Sequence, residues 1–151
     1  MKKTNNKGFS LIELIIVIAI MAVLVAIIAP NLTKYLGKSK KNTDKKNKDE
    51  IESTLKTCLT DYDMEHDALI TDGASDTVTV RWAKKNDGSG KVESTVTGAT
   101  GASANTDFKA IVDSAVDAAK TQSKENTSKY ALATITKNNS SNAYEIEVDF
   151  S

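Results

Sequence analysis

The sequence predicts an α+β fold: a long amino-terminal helix with an apolar first half, packed on a small antiparallel sheet with a second, short helix. Three observations carry that expectation. Nearly all strong apolar residues of the first third lie in one run, from Phe9 to Ala29. Apolar residues then resume at helical spacing over Ile51, Leu55, Cys58, Leu59 and Tyr62. Beyond them, four stretches alternate between apolar and polar residues with a period of two. The 151 residues allow one domain of ordinary size plus an appendage, and with aromatics at 5% its core must be small.

The run FSLIELIIVIAIMAVLVAIIA is interrupted only by Ser10 and Glu13. As a helix it spans about 31 Å, the thickness of a hydrocarbon core. From Leu14 to Ala29 it lacks the polar stripe that a helix of a soluble protein would show. A secretory signal peptide would have a shorter apolar region, about 7 to 15 residues, closed by an A-x-A-like site. Here the run ends Ala26-Ile27-Ile28-Ala29-Pro30, with Ile27 where a small residue is wanted. A plain uncleaved anchor fits the length but has no use for Glu13. An ionisable group in an apolar span costs about 2.5 to 3.5 kcal/mol at mid-membrane and marks a functional site, unless it snorkels to the headgroups.

Lys7-Gly8-Phe9-Ser10-Leu11-Ile12-Glu13, followed by the unbroken apolar run, resembles the class III leader and start of a type IV prepilin. The resemblance is detailed over roughly residues 1 to 60. It implies a leader, residues 1–8, removed between Gly8 and Phe9 by a membrane-embedded prepilin peptidase that also methylates the new amino group of Phe9. It further implies a membrane and filament-core helix over 9–30, an amphipathic half over 31–63, and a globular head over 64–151 with two hairpins and a helix. The implied function is that of a structural subunit, a major pilin, held in the membrane and then polymerised into an extracellular type IV pilus serving adhesion, motility or biofilm formation. The implied partners are further copies of the chain, the prepilin peptidase and the pilus assembly machinery, with no cofactor and no enzymatic activity. A type II secretion pseudopilin or minor pilin would share the leader. A membrane-anchored binding protein that never polymerises is the alternative of another class.

The chemistry of the motif can be stated from its residues. Gly8 offers no side chain to obstruct a protease, and Lys2, Lys3 and Lys7 hold the short leader on the cytoplasmic side. Cleavage creates a cation at Phe9, which the Glu13 carboxylate of a neighbouring copy can neutralise where apolar helices pack together. Unpaired, either charge is strongly destabilising in such a setting, so the pair fixes axial register. Positive-inside counting favours the opposite orientation, because Lys34, Lys38, Lys40, Lys41, Lys45, Lys46 and Lys48 follow the run.

Pro30 closes the apolar run. In a helix it lacks an amide proton, frees the carbonyl of Ala26 and disfavours helical angles at Ala29, so it reads as a kink or boundary. The resemblance implies local melting near it in a filament, which makes Pro30 an assembly residue with Phe9 and Glu13. After Leu32, Tyr35 and Leu36 the chain turns polar, and one long helix is expected from about Phe9 to Asp61 or Asp63.

Net charge is zero but zoned: eight lysines against four acids over residues 31–60, then nine basic residues against fifteen acids from Asp61 onward. The lysine cluster has no interleaved aromatics, and nucleic acid is an unlikely partner for an acidic head. A solvated or subunit-contacting face is the better reading, with the acidic surface of a neighbour as its complement.

In the head, Thr77–Lys84 directs Val78, Val80 and Trp82 to one face, and Lys91–Thr97 directs Val92 and Val96 inward. Tyr130–Lys137 pairs with Ala143–Phe150, where Tyr144, Ile146, Val148 and Phe150 face inward and Glu145, Glu147 and Asp149 outward. Phe108, Ile111, Val112, Ala115, Val116 and Ala119 have helical spacing after a Thr106 or Asp107 cap. The single histidine, His66, leaves no catalytic triad, and no glycine-rich phosphate loop is present. Asp61, Asp63, Glu65 and Asp67 alternate, but His66 stands where a calcium loop needs glycine. Cys58, the single cysteine, is expected in the core.

Overall fold

A computed structural model describes residues 9–65, 69–70, 77–100, 103–138 and 143–151. Among them are α1 (Leu11–Glu65), β1 (Thr77–Lys84), β2 (Val92–Thr97), α2 (Ala104–Ala115), a 3₁₀ turn (Ala118–Lys120), β3 (Ala131–Asn138) and β4 (Ala143–Phe150). This is the expected α+β arrangement. The chain divides between Ser39 and Lys40 into two compact units, and α1 contributes residues to both.

The carboxyl-terminal unit is a four-stranded antiparallel sheet of order β2-β1-β3-β4, sharing one core with α1 and α2. Two hairpins, β1–β2 and β3–β4, are joined by the central β1–β3 pair. The register stacks like on like across one face: Val80 opposite Val96 and Ala133, Val78 opposite Ile135, and Ile135 opposite Ile146. Such aligned pairs are what fixes register when one face is buried. On the other face of β4, Glu145, Glu147 and Asp149 are exposed and put charge on an edge strand, which discourages pairing with foreign strands.

Ile51, Leu55, Cys58, Leu59 and Tyr62 of α1 are all buried, as their spacing predicts, and Cys58 is a free thiol that is 1% exposed. The Tyr62 ring meets the Phe108 ring of α2 edge to face, with centroids 5.7 Å apart. Such a contact contributes about 1 kcal/mol beyond area burial. Inward-facing Ser94 of β2 donates to the Asp113 carboxylate of α2, so this buried hydroxyl is satisfied.

Several boundaries differ from the sequence expectation. The second helix starts at Ala104 rather than after Thr106 or Asp107, whose amides both bond to the Ser103 carbonyl inside the first turn. It ends at Ala115, because Val116 is extended and Asp117 caps a new turn by accepting from the Ala119 amide. Ala115 and Ala119 are therefore exposed, and the buried stripe is Ala104, Phe108 and Val112. The long helix likewise starts at Leu11 and runs to Glu65. Leu69 and Ile70, 0% and 1% exposed, join the core. Their carbonyls accept from the Thr100 amide and from Lys137 Nζ, at 3.0 and 3.2 Å.

Candidate functional site

Among its described residues, the amino-terminal unit presents no buried face. Fourteen large apolar side chains from Leu11 to Ile28 are exposed, from 45% at Val17 to 76% at Leu11. The most apolar window of α1 has mean hydropathy 3.3 and none of it is buried, so a core helix of a water-soluble domain is excluded. Covering these side chains is worth about 1.5 to 3 kcal/mol each, which only hydrocarbon or other apolar helices can supply.

The polar interruptions sit where the helix begins. Ser10 is the residue before α1, and its amide donates to Glu13 Oε2 at 2.9 Å. Serine followed three residues later by glutamate is a capping box, a signal present in the sequence that the reading of Glu13 as an assembly charge passed over. The carboxylate also sits in the first turn, where the helix dipole favours it. Phe9 is 90% exposed. Gly8, the other half of the expected cleavage site, lies outside the described residues, as do His66 and Asp67. Pro30 lies inside α1, which is helical on both sides of it, and Thr33 Oγ1 donates to its carbonyl at 3.0 Å.

A second constellation, in the carboxyl-terminal unit, was not foreseen. Asp44 is 7% exposed in the midst of the lysine cluster. Its carboxylate accepts from Ser123 Oγ at 2.6 Å and from the Lys124 and Glu125 amides at 2.6 and 3.1 Å. The acid thus clasps the loop after the 3₁₀ turn onto α1. Ion pairs reinforce it, Lys41 with Glu125 at 3.5 Å and Lys48 with Asp149 at 2.6 Å, while Lys120 bonds Glu50. Part of the basic belt therefore pairs within its own chain, where the sequence suggested a neighbour. The available signal was periodicity: Asn47 and Asp44 stand four and seven positions before Ile51 and continue the buried stripe.

Burial opposes the charged form of Asp44, but the Ser123 hydroxyl and the two loop amides outweigh it and hold its pKa below the ordinary 3.8. A depressed folded pKa contributes stability that is fully present above about pH 4 and lost as pH falls through the folded value. Asp44→Asn should therefore lower the unfolding free energy by about 2 kcal/mol at neutral pH, since an amide NH₂ would face a donor. It should also flatten the acid limb of stability against pH. Denaturant unfolding of the full chain in detergent, followed through buried Trp82, reads both effects; an unchanged acid limb would refute the assignment.

The family model for the prokaryotic N-terminal methylation motif matches residues 3–29. The chain is 40% identical over 58 residues to prepilin peptidase-dependent protein A of Clostridium perfringens, covering 38% of this chain and 41% of that protein. It is 39% identical over 59 residues to the type IV major pilin protein PilA of Myxococcus xanthus, covering 39% and 27%. Competence protein ComGC of Bacillus subtilis is 32% identical over 63 residues, covering 42% and 60%. The chain thus spans between about a quarter and three-fifths of these relatives' lengths. No solved structure matches it. Fold and motif together define a protein with an apolar amino-terminal helix, a methylation motif and an α+β head. That protein is similar to type IV pilins over about two-fifths of its length.

Proposed function

We propose that the chain is the precursor of a structural type IV pilus subunit, rather than an enzyme, stored in the membrane by residues 9–30 and polymerised through the same helix. The observation that carries this reading is a wholly exposed apolar helix whose one embedded charge, Glu13, stands four residues after Phe9. In this reading prepilin peptidase cuts between Gly8 and Phe9 and methylates Phe9. The new amino group pairs with Glu13 of an adjacent copy as the assembly machinery adds subunits to an extracellular filament. Residues 31–63 extend the helix, 64–151 form the head, and Pro30 loosens the helix where packing requires it.

Amino-terminal sequencing and mass spectrometry of filaments sheared from cells test the reading. The expected result is a subunit beginning at N-methylated Phe9. Retention of Lys2 to Lys7 in the mature protein would instead indicate a non-polymerising anchor. A second reading, a pseudopilin or minor pilin, draws on the ComG relatives, of which the chain spans the larger share. Abundance separates the two, since a major pilin dominates the sheared material and a pseudopilin does not.

A further inference from the structure

An exposed flank of α1 beside its buried stripe, within the carboxyl-terminal unit, is electrically polarised along its length. Lys45, Asp49, Lys56 and Asp63 recur on it at helical spacing, all exposed. In the middle, Lys56 is neutralised by Glu52 at 2.7 Å. The ends are not. Toward the amino-terminal end, a concave patch of about 640 Å³ is lined by Lys41, Lys45, Lys48 and Lys129 with Asp44, Glu125 and Asp149. Lys41 engages Glu125 and Lys48 engages Asp149. Lys129 Nζ donates to the Phe150 carbonyl at 3.4 Å beside Asp149, whereas Lys45 forms no ion pair among the described residues.

At the far end, Asp61, Asp63 and Glu65 crowd the close of the helix, and its last turn contains no basic residue. None of the three forms an ion pair among the described residues, and Asp63 only accepts from the Tyr144 hydroxyl at 3.4 Å. Carboxylates there oppose the helix dipole, so the chain alone leaves them unfavourably placed. Lys45 and Asp63 lie eighteen positions apart. At helical rise that is about 27 Å, too far for contact within one chain. A helix with this pattern complements a copy of itself displaced along the axis by about that distance.

We propose that this face of α1 is a docking surface for a second copy of the chain, the lysine end around Lys45 receiving the acidic end around Asp63 of the next subunit. The proposal rests on the filament reading and adds to it an axial contact made by the heads, separate from the apolar helix and from Glu13. Charge reversal in the full chain, read as the yield of sheared filament, tests it. Lys45→Glu or Asp63→Lys alone should reduce yield roughly fivefold or more by placing like charges together, and the double variant should recover at least about half of it. Both positions are exposed, so the membrane-stored pool should keep wild-type abundance and Trp82 emission; the neutral variants Lys45→Gln and Asp63→Asn should show a smaller loss. Single reversals that assemble like wild type, or a double variant no better than the worse single, would overturn the contact while leaving the filament reading intact. Absence of the chain from wild-type filaments would overturn both.

Discussion

Glu13→Ala is expected to abolish surface filaments while leaving the membrane-stored subunit at normal abundance. Two losses combine in that variant. One is local: the Ser10 amide loses its carboxylate acceptor at 2.9 Å, worth about 1 kcal/mol of helix start. The other belongs to the proposed filament, in which the Phe9 amino group would be left buried without its counter-charge at a cost of about 3 to 5 kcal/mol per contact. Glu13→Gln separates the two, because its carbonyl can still accept from Ser10 but carries no charge. If the trans pair governs assembly, Gln fails as Ala does. Filaments from the Gln variant at wild-type yield would reduce Glu13 to a capping residue and remove the ion-pair account, though not the filament itself.

Gly98→Ala should be the most damaging single-methyl change in the head, lowering its unfolding free energy by about 3 kcal/mol or more. Gly98 has φ +95°, and an added Cβ would meet the Thr77 carbonyl oxygen at 2.4 Å. That oxygen belongs to β1, whose Thr77 is held opposite Thr136 of β3, so it cannot withdraw without disturbing the centre of the sheet. Gly88 supplies the control: its φ is +77°, but nothing lies within 4 Å of an added Cβ. There only the backbone preference is lost, about 1 to 2 kcal/mol. Urea unfolding followed at Trp82 should rank wild type, Gly88→Ala and Gly98→Ala in that order. Equal effects at the two glycines would mean that backbone preference, not the contact with Thr77, governs.

What could be read from the sequence was governed by period. The strands of the head show alternation unbroken enough that Thr77–Lys84 and Ala143–Phe150 match their observed bounds. The core stripe of α1 was equally plain from Ile51 to Tyr62. It became illegible below Ile51, because Asp44 and Asn47 are polar residues on a buried face and hydrophobicity alone cannot see them. The burial of Asp44 depends on a loop some 80 residues away whose amides match its carboxylate. The start of α2 was misplaced for a related reason. Thr106 and Asp107 are good capping residue types, but the chain had already turned at Ser103, and Asn105 spends its side chain on the Ala99 amide. At the amino terminus the reading of Glu13 as an assembly charge left its bond to Ser10 unseen, although the S-x-x-E spacing was present. The processing residues are legible as a motif alone, since Gly8 lies outside the described residues.

The thiol of Cys58 also bears on how the head withstands crowding. Burial, and behind it the nearby Asp61 charge, pushes its pKa above the ordinary value, so it stays protonated and unreactive. With one cysteine in the chain, folding requires no oxidant and meets no choice of disulfide pairing. Copies can therefore be stored or stacked at high local density without exchanging disulfides, and their cohesion is indifferent to the redox poise of the surroundings.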